Sequence, residues 1–152
     1  MSHHAATPGS QGTAAAPSAV PIWQQAAWPT AIILGALALA RPVAGMVARA
    51  GDTELGPWGA GIIAVVSLVW IVVATCRRVA AVPTLIAAGL IQAVGAAALA
   101  FFTTWAFDGM PAGPLVHPTE LALLVGAGAL WGLVCGALAL AFQRARDGYG
   151  LC

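Results

Sequence analysis

Residues 121–143 read LALLVGAGALWGLVCGALALAFQ, an apolar run in which Gly128, Gly132 and Gly136 recur at four-residue intervals. No charge falls between Glu120 and Arg144. At ~1.5 Å per residue a helix of this length exceeds the ~30 Å hydrocarbon core of a bilayer. A helix on the surface of a soluble domain interrupts such a run with a polar stripe. This one does not, and it is predicted to span a membrane.

On a helical wheel Gly128, Gly132, Cys135, Gly136 and Ala139 share a narrow sector, while Leu123, Leu130, Leu133, Val134 and Leu140 lie on the other side. Lipid tails are as apolar as leucine, so helices associate where small residues let their backbones approach. The glycine seam is therefore expected to face protein, either the chain's own helices or a second copy. The leucine face is expected to look at lipid, with Trp131 flanking the seam at mid-membrane depth.

The rest of the chain has the same character. Of its 152 residues 61% are hydrophobic and 7% charged, with a mean hydropathy of +0.91. That composition belongs to a polytopic membrane protein, all-α, with no room for a second domain. The six basic residues are all arginine, and a formal charge of +1 predicts no nucleic-acid partner. Cys76, Cys135 and Cys152 show neither CxxC nor metal-ligand spacing, and no disulfide is expected. The His3-His4 pair lacks further ligands, so neither a metal nor a cofactor is expected.

In chain order, residues 1–27 are expected to form a disordered tail, its first twenty rich in Ala, Ser, Pro and Gly. They lack the basic start and apolar core of a signal peptide and are expected to be retained. Trp23 and Trp28 mark an interface, as aromatic belts do. The four spans fall at about 29–48, interrupted by Arg41-Pro42, then 57–76, 83–107 and 119–143, followed by a short tail at 144–152. Residues 108–117 form a Gly/Pro-rich loop, and His117-Pro118-Thr119-Glu120 reads as a helix start. The expected architecture is a four-transmembrane-helix bundle occupying residues 28–143. Arg77, Arg78, Arg144 and Arg146 fall on the side of the termini, and Arg49 on the other. By the positive-inside rule both termini are cytoplasmic, in a plasma (inner) membrane.

A faint repeat runs through this layout. Pro29-Thr30-x-Ile32-x-x-Gly35 matches Pro83-Thr84-x-Ile86-x-x-Gly89, and Val69-Trp70-x-x-Val73 echoes Leu130-Trp131-x-x-Val134. Two hairpins of the same direction would be related by an axis along the membrane normal.

A few residues do not belong in lipid. Arg41 lies ~18 Å along the helix from Pro29, near the midplane, where a central arginine costs ~2.5–3.5 kcal/mol even on insertion scales. Its wheel neighbours Ala38 and Gly45 are small, so it is expected to face the bundle. Pro42 frees the Ala38 carbonyl as an acceptor for the guanidinium. Gln92 lies ~13 Å into the third span, on a face with Ala88, Gly89, Gly95 and Ala96. Ser67 sits on a seam of Ala60, Ala64 and Ala74. Arg41, Ser67, Gln92 and Trp131 are the candidate ligand-binding layer, and no acid occurs at that depth. Arg41 either fixes helix register, satisfied by Gln92 and carbonyls, or acts as counter-charge for an anionic solute.

No nucleophile with a nearby base, HExxH motif or phosphate loop is present, so an enzyme is not expected. Small proton-coupled multidrug exporters carry a first-span carboxylate that this chain lacks. Phe101-Phe102-Thr103-Thr104 is loosely similar to the third span of small fluoride channels, without the rest of that pattern. The chain resembles neither closely enough to assign a family. The leading expectation is a non-enzymatic accessory or assembly component, its partners the lipid bilayer and a second copy or larger membrane protein. The alternative is a small transporter or channel for an anionic solute. The topology is tested by cysteine labelling in a cysteine-free background: Ala112→Cys should react with an impermeant reagent from outside the cell. Labelling of Ala80→Cys from outside would overturn the assignment.

Overall fold

The computed structural model describes residues 21, 24–51, 56–77, 79–110 and 113–148. These form five helices and no strand: α1 (Trp28–Ala38), α2 (Ala40–Ala50), α3 (Trp58–Cys76), α4 (Ala81–Asp108) and α5 (Pro118–Gly148). With α1 and α2 taken in series as Trp28–Ala50, four helices are long and apolar enough to cross a membrane. Trp58 is 79% exposed at the start of α3, Trp105 is exposed near the end of α4, and Trp28 is exposed at the opposite end of the bundle. Tryptophans so placed suit the two interfaces of a bilayer. His3-His4, Trp23, Arg78 and Cys152 lie outside the described residues.

The first span breaks where proline chemistry requires. Pro42 has no N–H for the Ala38 carbonyl, and its ring crowds that carbonyl. Helix α1 therefore ends at Ala38, and the Leu39 N–H turns back to the Ala36 carbonyl at 3.1 Å, a tighter 3₁₀-type closure. The break thus precedes the expected Arg41-Pro42 site, since a proline disturbs the turn before it. Two other boundaries also move. Asp108 is the last residue of α4 rather than loop, with Gly109 at φ 69° supplying the left-handed cap. Helix α5 runs past residue 143 to Gly148. The segment before α1 is partly anchored from Gln24 on: Ala26 is buried, and the Ala27 N–H donates to Thr84 Oγ1 at 3.1 Å.

The most extensive helix contact is α4 on α5, which run antiparallel. A Cβ placed on Gly89 would run into the Gly128 carbonyl, and one on Gly132 into the Leu85 carbonyl. One on Gly128 would stand 2.6 Å from the Gly89 oxygen, and one on Gly136 2.9 Å from Val82 Cα. Backbone touches backbone along this seam, and Gly132, Cys135, Gly136 and Ala139 are buried in it. The opposite side exposes Leu123, Leu130, Leu133 and Val134, whereas Leu140 is half-buried. Leu140 departs from the expected lipid face because it lies one helical turn (i+4) beyond Gly136, at the seam's edge.

Helix α1 packs on the other side of α4 by the same means. A Cβ on Gly35 would lie 2.8 Å from Ile91 Cγ2 and 3.0 Å from the Ala88 carbonyl, and Ala31, Leu34 and Ala38 join Leu85 and Ala88 in the core. Helix α3 meets chiefly α5 and touches α1, α2 and α4 only lightly. Polar anchors hold it, among them Trp70 and Gln143. Trp70 Nε1, on a side chain only 1% exposed, donates to the Leu34 carbonyl at 3.0 Å. Gln143 Nε2 donates to the Ala74 carbonyl at 2.9 Å and the Val79 carbonyl at 3.3 Å, covering the end of α3. The faint repeat does not carry into pairing: α4 and α5 meet along their lengths, whereas α1 and α3 barely touch.

This packing predicts contrasting stabilities along α5. Gly132→Leu inserts an isobutyl group against the Leu85 carbonyl and Ile86 Cα, and should cost ~1–3 kcal/mol or more by overpacking. Val134→Leu, on the exposed face, should be nearly silent. Gly126 has nothing within 4 Å of its added Cβ, so Gly126→Ala should be neutral or stabilising. Equal melting temperatures for the Gly132 and Val134 variants in detergent would contradict the assignment of faces.

Candidate functional site

The centre of the bundle holds a cavity of about 280 Å³. Its existence follows from unequal helix approach. Glycine and alanine let α1 and α5 approach α4 closely, whereas α3, which lines the space with Ile62, Ile63 and Val66, makes less extensive contact with its neighbours. The space left between α3 and the other helices is the cavity.

Helix α2 contributes Arg41, α4 contributes Gln92, α3 contributes Ser67 and Trp70, and α5 contributes Trp131 to its lining. The four residues singled out by depth and chemistry in the sequence, Arg41, Ser67, Gln92 and Trp131, thus border one cavity. Ile63, Val66 and Leu124 supply the apolar part of the wall. Gly128 also borders the cavity, while Gly132 and Gly136 lie in the seam below it, against α4.

The polar groups divide into satisfied and free. Trp131 Nε1 donates to Ser67 Oγ at 3.1 Å, and Ser67 Oγ donates to the Ile63 carbonyl at 2.8 Å. That chain joins α5 to α3 and consumes both donors. Trp70 is likewise spent on the Leu34 carbonyl. Among the described residues Arg41 and Gln92 make no hydrogen bond or ion pair. The Ala38 carbonyl freed by Pro42 does not receive the guanidinium, and Gln92 does not satisfy it. Arg49 and Asp108 form a loose exposed pair at 4.0 Å, too far along α2 to compensate Arg41.

The free groups are complementary to an anion. A guanidinium offers a planar fork of N–H donors matched to a carboxylate or similar oxyanion, and an amide adds a further donor. Around them the wall is apolar, which strengthens any charge-assisted bond formed there. Among the described residues, the cavity lining holds no nucleophile beside a general base.

Trp70 is the cavity residue that the depth argument passed over. Its signal was a tryptophan in mid-span, away from both aromatic belts. Ile63, Val66 and Leu124 carried no signal, since an apolar residue in an apolar span looks the same facing lipid or a cavity.

The chain is an all-helical protein with four helices long and apolar enough to cross a membrane, and a half-open cavity between them is lined by Arg41, which has no partner among the described residues. It matches no protein-family model, no curated protein and no solved structure.

Because Arg41 makes no bond that holds the fold together, Arg41→Gln should leave the melting temperature in detergent unchanged or raise it. An exposed guanidinium without a protein partner contributes no contact whose loss would destabilise the fold. A large drop would show that the guanidinium holds the helices in register.

Proposed function

We propose that this is a small multi-pass protein of the plasma (inner) membrane that binds a small anionic solute in its central cavity and moves it across the bilayer. The observation that carries this reading is the unpaired Arg41 facing the same cavity as the unpaired Gln92. A charge in mid-span is expensive and, where it occurs, pairs, meets a polar pathway or binds a ligand. The described residues supply no carboxylate partner at that depth, so the complementary charge comes with the solute. The role is non-enzymatic, and no cofactor is invoked.

Both termini are proposed to lie in the cytoplasm. Arg77, Arg144 and Arg146 at the ends of α3 and α5 support this, against Arg49 alone among the described arginines at the other end.

A second reading, an accessory or assembly component of a larger membrane complex, has its own support. Helix α2 buries none of its residues, and Val43 and Val47 stand exposed where a partner helix would fit. The glycine seam offers no such surface, being filled by α4. Co-purification in mild detergent separates the two: a stoichiometric larger partner favours the accessory role, and a lone protein that moves solute in liposomes favours transport.

The direct test is a set of melting curves in detergent with chloride, nitrate, acetate, benzoate and phosphate. At least one anion should raise the melting temperature of the unmodified protein. Arg41→Gln should abolish the shift with the fold intact, and Arg41→Lys should restore only part of it, because an ammonium lacks the bidentate fork. No shift with any anion would retire the transport reading.

A further inference from the structure

A second cavity of about 390 Å³ lies between α2 and the first turns of α3, lined by Arg41, Pro42, Gly45, Gly56, Gly59, Ala60 and Ile63. Arg41 and Ile63 line both this space and the central cavity. The two therefore meet at the arginine. The second cavity lies toward the end of the bundle that carries Arg49 and Asp108, since Gly56 and Gly59 stand at the start of α3 and α2 ends at Ala50.

The cause is again local sequence. Pro42 breaks the first span, and α2 leaves the tight packing that α1 makes with α4: none of its residues is buried, whereas α1 buries five. Gly45, Gly59 and Ala60 have almost no side chain with which to fill the resulting gap. A guanidinium without a protein partner is tolerated at membrane depth where water reaches it. The α2–α3 gap touches Arg41 from outside the central cavity.

We propose that the α2–α3 gap is an aqueous vestibule with Arg41 at its floor, giving the central cavity one-sided access from the Arg49/Asp108 end. A water-soluble anion would enter there, meet Arg41 first and pass inward toward Gln92. The anion part of this inference rests on the function proposed above, and the vestibule itself does not.

The test is thiol accessibility in proteoliposomes of fixed orientation, using single-cysteine variants in a background lacking Cys76, Cys135 and Cys152. The probe is a charged, impermeant methanethiosulfonate, which reacts with hydrated thiolates and not with thiols in lipid. Met110→Cys marks the vestibule side and Ala80→Cys the opposite side. Ala60→Cys and Ser67→Cys should react from the Met110 side, while Val65→Cys, exposed on the outer face of α3, should not. Gly45→Phe, which fills the gap, should slow modification of Ser67→Cys at least tenfold while leaving Met110→Cys unchanged. If Ser67→Cys is not monodisperse in detergent, Gln92→Cys reads the same cavity. Modification of the central cysteine from the Ala80 side, or no effect of Gly45→Phe, would overturn the vestibule. The expected labelling without any anion-dependent melting shift would uphold the vestibule and retire the solute; a melting shift without the labelling pattern would do the reverse.

Discussion

The contact of the α4 backbone with the α5 backbone, through Gly89, Gly128, Gly132 and Gly136, is the constraint on which the rest of the bundle depends. Between helices in lipid the hydrophobic effect supplies no attraction, and dispersion between closely approached backbones takes its place. Glycine makes that approach sterically available. Helix α1 then uses Gly35 and three buried alanine or leucine positions to reach the opposite side of α4. Three helices are thereby held close, and α3, rich in β-branched residues, is attached by hydrogen bonds from Trp70, Trp131 and Gln143. Tight packing of three helices and looser packing of the fourth produce a cavity without any residue being dedicated to forming it.

Arg41 turns that cavity into a site. It stands two residues beyond the break at Leu39, next to the Pro42 that ends α1. A continuous first helix would keep packing against α4. The broken one buries none of its second half, and the α2–α3 gap reaches the arginine. Charge, kink and gap therefore arise from neighbouring residues, Arg41 and Pro42, and from the small side chains around them.

Much of this was legible in the sequence for simple reasons. Uninterrupted apolar runs locate the helices, because length and hydropathy are local properties; the start at Pro118 was readable from His117-Pro118-Thr119-Glu120. Rise per residue brought Arg41, Ser67 and Gln92 to one level, and they do border one cavity. Other features depend on which helices become neighbours, which hydropathy does not encode. The Trp70 bond to Leu34, the Gln143 cover over the end of α3 and the Thr84 anchor for Ala27 all cross long sequence separations. The repeat of Pro-Thr-x-Ile-x-x-Gly suggested matching hairpins, yet Gly35 meets α4 while Gly89 meets α5. The same motif serves two different interfaces, so local similarity did not transmit to the arrangement.

The central claim is that Gly89 and Gly128 face one another within a single chain, each backbone against the other. A double-mutant cycle of Gly89→Ala, Gly128→Ala and the pair measures it most directly, by unfolding in detergent at several protein concentrations. If the two backbones touch, the first methyl already separates the helices, and the second adds less than its single cost. Contacting residues show couplings of about 0.5–3 kcal/mol. The account predicts strong sub-additivity of that order, independent of protein concentration. Additive costs would contradict the shared contact, and a coupling that grows with concentration would place the seam between two copies instead of within one.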